Sequence, residues 1–180
     1  MRDRTTISDA YLAQQRTLHE NPDYGVASIH YAPIVKKMIE QLGIKSISDY
    51  GAGKCNLRRR LNELGVRDFE YFPYDPVFPE YGPPRPAQLV CCIDVLEHVE
   101  EPYLGTVLLD LKDITQTIGL FTVSTRPALK VLPDGRNAHL ILKPTSWWLP
   151  KFCQHFEIQH LGRSPDGFWI VTEPQKGGVA

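Results

Sequence analysis

The chain has 180 residues, and its 20 Lys and Arg residues against 21 Asp and Glu give a formal net charge of −1. This length suits a single domain with one sizeable core, and the hydrophobic content of 42% excludes wholesale disorder. The near-neutral charge argues against a general nucleic-acid binder, which needs a net basic face. We also expect neither a signal peptide nor a membrane helix, since no apolar run approaches about 18 residues.

The cysteines indicate the compartment. Cys55, Cys91, Cys92 and Cys153 form no C-x-x-C pair, and two of them are adjacent in an apolar run. Such residues are typical of small buried hydrophobic side chains rather than of a disulfide framework. We therefore expect reduced thiols and a cytoplasmic protein.

The N-terminal segment is polar and ends in turn-forming residues. Residues 1–25 close on the run from Asn21 to Gly25, which predicts a loop or a loosely held N-terminal arm. Residues 26–180 are expected to form one domain. This domain begins with a helix that has Pro33 near its start and Gly43 at its end.

Strands and helices then alternate along the chain. Short apolar runs predict strands at 44–50, 69–74, 89–93, 119–124, 157–162 and 168–173. Apolar residues at helical spacing predict helices around 57–64, 104–114 and 146–156. This order predicts an α/β fold whose mostly parallel sheet is covered on both faces and ends in an antiparallel hairpin.

Ligands of such sheets bind beyond the carboxyl ends of the strands, and one strand end carries a glycine turn. Asp49-Tyr50-Gly51-Ala52-Gly53 lies between the first strand and the next helix. The glycines let the backbone turn sharply and let a ligand approach it, and the amide groups of the helix start face that ligand. Asp75 ends the next strand, where a carboxylate can accept hydrogen bonds from both hydroxyls of a ribose.

Three classes of ligand bind at glycine turns of this kind, and the residues around this turn distinguish among them. A P-loop needs Gly at position 48 and Ser or Thr at 55, where the chain has Ser48 and Cys55. The dinucleotide fingerprint needs a third glycine at position 56, where Asn56 stands. Asp49 is poorly suited to a pyrophosphate but well suited to an ammonium group, which favours S-adenosylmethionine over a nicotinamide dinucleotide.

The chain resembles the class I S-adenosylmethionine-dependent methyltransferases from about residue 30 to residue 175. The glycine turn is similar to the first motif of that family, although Cys55 replaces its usual third glycine, and Asp75 matches the ribose-binding acid. The segment from Cys92 to Val99 resembles the D-V-L-E-H-V segment of many small-molecule methyltransferases.

The resemblance implies a Rossmann-like sheet that binds S-adenosylmethionine and releases S-adenosylhomocysteine. The amino-acid part of the cofactor would lie against Asp49, Gly51, Ala52 and Gly53, and its ribose against Asp75. The remaining cofactor contacts would come from Pro76, Val77, Phe78, Asp94, Val95 and Leu96. Only the proline-rich segment 76–87 stands where the family has a third strand between two helices, so we expect a sheet reduced in that region.

Catalytic and substrate residues are less constrained by the sequence. The resemblance places His98 near the methyl group, and His139 follows the fifth of the family's strands, so either is a candidate base. Arg136, Asn137 and Trp147 are candidate substrate contacts. The alternatives are that His98 is structural, that the 133–139 loop is held by its own hydrogen bonds, and that the tryptophan packs a helix on the sheet. The spacing of histidines and cysteines indicates no metal site.

The sequence therefore favours a methyltransferase (EC 2.1.1.-) that methylates an oxygen or nitrogen of a small polar acceptor. Two alternatives remain open. A non-catalytic S-adenosylmethionine sensor or assembly protein is favoured by the shortened 76–87 segment. A nucleic-acid methyltransferase is opposed by the net charge and by the lack of an N/D-P-P-Y/F motif after the fourth family strand.

Overall fold

The computed structural model describes residues 4–175. Five α-helices are present in this part of the chain: α1 (Asp9–His19), α2 (Ala27–Leu42), α3 (Asn56–Glu63), α4 (Leu104–Ile114) and α5 (Thr145–Phe152). Six strands accompany them: β1 (Ser46–Tyr50), β2 (Glu70–Tyr74), β3 (Ala87–Ile93), β4 (Thr115–Ser124), β5 (Phe156–Ser164) and β6 (Gly167–Pro174).

The strands form one sheet in the order β2-β1-β3-β4-β6-β5. The first four of these are parallel neighbours, whereas β6 runs antiparallel to both β4 and β5. The prediction of a mostly parallel α/β sheet with a C-terminal antiparallel hairpin is confirmed. Because β1 lies between β2 and β3, the carboxyl ends of these three strands meet at one edge.

The expected reduction of the sheet is also seen. Between β2 and β3 the described chain forms one short 3₁₀ turn, Pro79–Tyr81, and β2 is the last strand at its edge of the sheet. Prolines in this segment lack the amide hydrogen that a strand or helix needs and restrict the preceding residue. The segment therefore crosses directly from β2 to β3.

Two apolar layers hold the sheet. One face packs against α4 and α5 around residues such as Phe121, Trp148 and Phe152, and the other packs against α2 and α3 around Ile47 and Leu57. The continuous apolar run of β3 follows from this arrangement, since both of its faces are covered. No helix among the described residues is long and apolar enough to cross a membrane.

Three elements show the most informative differences from the sequence prediction. Residues 9–19 of the expected N-terminal arm form α1, which Ser8 caps by accepting a hydrogen bond from the Tyr11 amide at 3.2 Å. β4 begins at Thr115, directly after α4, rather than at 119. α5 ends at Phe152 because the next strand already starts at Phe156.

Candidate active site

A cavity of about 920 Å³ opens at the carboxyl ends of the parallel strands. The turns after β1, β2 and β3 form its floor, and α1 contributes to its wall. This is the position at which parallel α/β sheets bind ligands, and its size matches that of small-molecule sites.

The glycine turn after β1 lines the floor of this cavity. Gly51 and Gly53 have φ values of +81° and +49°, which side chains rarely adopt. A Cβ atom at Gly51 would overlap the side chain of Val95, and one at Gly53 would lie 3.3 Å from the His19 ring. Cys55 also has a positive φ of 55°, so the position of the family's third glycine keeps a left-handed backbone without the glycine.

The Asp75 side chain is held beside this turn by two backbone hydrogen bonds. One carboxylate oxygen accepts a hydrogen bond from the Gly53 amide at 3.0 Å, and the other accepts one from the Val77 amide at 2.9 Å. Burial raises the pKa of Asp75, and these two amides oppose that rise. Each oxygen keeps a further lone pair, so a fixed carboxylate capable of accepting two hydroxyl donors faces the cavity.

Asp49 lies at the end of β1 and is almost fully buried, yet it also lines the cavity. The Tyr71 hydroxyl donates a hydrogen bond to its carboxylate. Burial raises the pKa of Asp49 to about 7, the hydrogen bond lowers it, and the neighbouring Asp75 raises it. An ammonium group in the cavity would supply the positive charge that this buried carboxylate lacks.

The wall contributed by α1 was missed in the sequence prediction. Tyr11, Gln15 and His19 project from this helix into the cavity lining, and the Gln15 carboxamide accepts a hydrogen bond from the Tyr24 hydroxyl at 3.2 Å. Burial lowers the pKa of His19 to about 4, and Lys54 lowers it further. The available signal was Ser8 before Asp9, a helix-start pattern that the polar composition obscured.

The start of α1 is anchored by contacts with residues that follow β3. The Ser8 amide and hydroxyl both donate to the Glu100 carboxylate at 2.8 Å. Arg4 pairs with Asp110 at 2.9 Å and with Asp113 at 2.8 Å. These contacts hold α1 against the segment that follows β3.

His98 and His139 come together although they are distant in the sequence. Their ring centroids lie 4.7 Å apart in an edge-to-face arrangement. The Nδ1 atom of His98 donates to the Ala138 carbonyl at 2.8 Å, and that of His139 donates to the Arg126 carbonyl at 2.6 Å. Burial lowers the pKa of His98 to about 4, so this imidazole is neutral at neutral pH with Nε2 unprotonated.

Asp94 stands beside the two histidines at the end of β3. Its backbone is left-handed, with φ of 60°, and its amide donates to the Thr122 hydroxyl at 2.9 Å. Glu97 is fully buried nearby, and burial followed by the Asp94 carboxyl raises its pKa. The sequence prediction placed Asp94 among cofactor contacts and did not associate it with His139.

The other predicted site residues divide into two groups. Those that line the cavity with Asp49, Asp75 and Asp94 are Gly51, Ala52, Gly53, Pro76, Val77, Val95, His98 and His139. Those that do not line it are Leu96, Phe78, Arg136, Asn137 and Trp147. The second group has other partners in the structure.

These partners are structural. Leu96 is fully buried in the core, and the Phe78 ring stacks on Tyr81. Arg136 pairs with Asp134 at 2.7 Å. Trp147 is partly buried at the edge of the core that α5 covers, and its ring packs against Trp148 with a ring-centroid distance of 5.2 Å.

Asn137 supports the loop that carries His139. Its side chain exchanges two hydrogen bonds of 2.9 Å with the Ala128 backbone and accepts a third from the His139 amide, also at 2.9 Å. Asn137 thus positions a cavity residue instead of lining the cavity.

Comparisons with known proteins agree with this architecture at the level of the fold. No protein-family model and no curated protein matches the chain. Among solved structures, the 1,6-didemethyltoxoflavin-N1-methyltransferase of Burkholderia thailandensis, with bound 1,6-didemethyltoxoflavin and S-adenosylhomocysteine, superposes with a TM-score of 0.67. The identity is 14%, and the match covers 98% of this chain and 94% of that chain.

Two further methyltransferases are similar to the chain. The N-methyltransferase NodS of Bradyrhizobium japonicum WM9, in complex with S-adenosylhomocysteine, has a TM-score of 0.55 at 9% identity, covering 95% of this chain and 100% of its own. The magnesium protoporphyrin IX methyltransferase of Synechocystis PCC 6803 has a TM-score of 0.51 at 12% identity, covering 92% and 94%. The chain therefore has the fold of the class I S-adenosylmethionine-dependent methyltransferases.

Proposed function

We propose that this protein is an S-adenosylmethionine-dependent methyltransferase that acts on a small polar acceptor. The observation that carries the proposal is the convergence of Asp49, Asp75 and the turn from Gly51 to Gly53 on one cavity. Each of these features matches a different chemical part of the cofactor. The fold, shared with methyltransferases crystallised with S-adenosylhomocysteine, supports the same conclusion.

The residues present fit the cofactor. Asp75 is fixed by two backbone amides and retains acceptor capacity for the ribose hydroxyls. Asp49 is a buried carboxylate whose charge an ammonium group would compensate. Glycine at position 51 lets Val95 pack directly against the turn, where a Cβ would overlap it. Pro76 and Val77 offer apolar surface to the adenine.

When bound, S-adenosylmethionine supplies an electrophilic methyl group that is transferred to a lone pair of the acceptor. The protein's task is then to align the acceptor and to exclude water. α1 and its His19 supply the covering wall. His98 and His139 line the cavity with their Nδ1 atoms bonded to backbone carbonyls, which leaves their Nε2 atoms as the candidate proton acceptors.

A small acceptor is supported by the size of the cavity. A volume of about 920 Å³ lies near the upper end of the range for small-molecule sites. The Burkholderia thailandensis neighbour, whose structure holds 1,6-didemethyltoxoflavin, acts on a small molecule.

Free thiols at all four cysteines favour a reducing, cytoplasmic compartment.

Titration calorimetry with S-adenosylhomocysteine, followed by a methyl-transfer assay with labelled S-adenosylmethionine and pooled metabolites, tests the proposal. We expect saturable binding of one ligand per chain and label transfer to a small molecule. Absence of binding would contradict the assignment.

The short crossing between β2 and β3 favours one alternative, a sensor that binds the cofactor without turnover. The same two measurements separate the alternatives, because a sensor would bind S-adenosylhomocysteine yet transfer no label to any pool. Turnover would exclude it.

A further inference from the structure

Three potential metal ligands converge beside the proposed cofactor site. Asp94, His98 and His139 each offer one ligand atom, and these atoms lie within 4.8 Å of one another. Neighbouring ligand atoms on one divalent ion at about 2.0–2.2 Å lie about 3.0–3.6 Å apart in tetrahedral or octahedral geometry. Side-chain rotations that move these atoms by roughly an ångström would therefore bring the three onto one ion.

We propose that Asp94, His98 and His139 form a binding site for a divalent transition-metal ion, and that this ion binds an oxygen of the methyl acceptor. One carboxylate and two imidazoles suit Mn²⁺, Fe²⁺, Co²⁺ or Zn²⁺ better than Mg²⁺, which prefers oxygen ligands. Three protein ligands leave coordination positions open for a substrate.

The surroundings of both histidines suit ligation. Each imidazole donates its Nδ1 hydrogen to a backbone carbonyl, that of Ala138 or that of Arg126. In a neutral ring this hydrogen bond fixes the tautomer and leaves Nε2 as the nitrogen that can bind an ion. A ligating histidine in proteins typically has such an outer partner, which also orients its ring. Asn137 adds a further layer by holding the loop of His139.

The backbone of Asp94 provides separate support. Its φ of 60° places it in the left-handed region, which is sparsely used outside glycine although Asp and Asn tolerate it best. Its amide is held by the Thr122 hydroxyl. Strained residues of this kind cluster at functional sites, where the surrounding structure fixes the direction of a side chain.

Glu97 supplies a second, independent observation beside the cluster. This side chain is fully buried, and one oxygen accepts from the Ser124 amide while the other has no hydrogen-bond partner in the described structure. Its carboxyl and that of Asp94 are neighbours. A buried side-chain oxygen without a partner is rare in folded proteins, and this one lies next to the proposed ligand Asp94.

The bound ion would restrict the chemical class of the methyl acceptor, an inference that rests on the proposed function. A hydroxyl that binds a divalent ion loses its proton more readily, and here the proton would pass to water. The resulting oxygen forms the new bond to the methyl carbon, while the electron pair of the broken carbon–sulfur bond stays on sulfur. The acceptor is therefore a hydroxyl compound, best one with a second oxygen that chelates the ion. The two histidines then act as ligands rather than as bases.

Metal binding is tested on the whole chain after treatment with a chelator. MnCl₂ is titrated into it and followed by electron paramagnetic resonance, and CoCl₂ is followed by its visible absorption. We expect one ion per chain and at least about tenfold weaker Mn²⁺ binding in His139→Gln. Asp94→Asn, which suits the left-handed backbone, provides a second variant. His155→Gln, outside the cluster, should bind like the wild type.

The outcomes separate this inference from the proposed function. No Mn²⁺ or Co²⁺ binding up to about 1 mM, or binding that both site variants retain unchanged, would overturn the metal site. If S-adenosylhomocysteine still bound in that case, the proposed function would stand. Metal binding without S-adenosylhomocysteine binding would instead overturn the proposed function and the acceptor assignment.

Discussion

Replacing Asp49 with Asn tests how the protein pairs a buried carboxylate with a cationic ligand. Burial raises the pKa of this group from 3.8 to about 7, so the folded state holds its proton more tightly than the unfolded state does. The penalty of ionising Asp49 therefore appears above pH 4, grows up to pH 7 and is constant above it. At about 1.4 kcal/mol per pKa unit, it reaches about 4 kcal/mol.

The variant removes this penalty, because Asn carries no charge and its oxygen still accepts the Tyr71 hydroxyl. The gain in unfolding free energy of Asp49→Asn over the wild type should grow by about 2–3 kcal/mol between pH 5 and pH 8. Denaturant unfolding at both pH values measures it. Asp68→Asn, at an exposed position, is the control and should show no such growth.

Cofactor affinity should change in the opposite direction. The ammonium of S-adenosylhomocysteine needs Asp49 ionised, so wild-type affinity should fall as the pH drops below 7, by up to about tenfold per pH unit. Asp49→Asn should bind more weakly at pH 8 and lose this dependence. Calorimetry from pH 5.5 to 8.5 measures both. Two results would refute the reasoning. One is a wild-type affinity for S-adenosylhomocysteine that does not change over this pH range, and the other is a difference in unfolding free energy between Asp49→Asn and the wild type that is the same at pH 5 and pH 8.

Three further changes test neighbouring contacts. Tyr71→Phe removes the hydrogen bond that lowers the pKa of Asp49, so the decline in S-adenosylhomocysteine affinity should begin at a higher pH in calorimetry. Gly51→Ala should lower the unfolding free energy more than Gly43→Ala does, since both sites have positive φ but only Gly51 packs against a valine; equal losses in denaturant unfolding would contradict this. Asp75→Ala should weaken S-adenosylhomocysteine binding more than about tenfold, or 1.4 kcal/mol, and unchanged affinity would remove the ribose role.

Local patterns were sufficient for most of the fold. β3 is an uninterrupted apolar run because both faces of the sheet are covered. Its position could therefore be predicted from the sequence alone. The glycine turn was visible because its positive φ values restrict the residues there, and Asp75 was visible from its place at the end of the next strand. The proline-rich crossing after β2 likewise predicted the reduced sheet.

The remaining features depend on tertiary contacts that no local pattern encodes. α1 is polar along much of its length and is held by contacts such as that of Ser8 with Glu100, which is distant in the sequence. His139 reaches His98 only because its long loop folds back over the end of β3. Trp147, a candidate substrate contact, does not line the cavity, and its ring packs against the neighbouring Trp148.

A crystal structure with S-adenosylhomocysteine bound tests the account most directly. We expect the ribose hydroxyls to donate to the Asp75 carboxylate, and the amino-acid part to lie along Gly51 to Gly53 with its ammonium near Asp49. His98 and His139 should face the sulfur across the space left for the methyl group. S-adenosylhomocysteine bound outside this cavity, or bound within it without contact to either Asp49 or Asp75, would contradict the account.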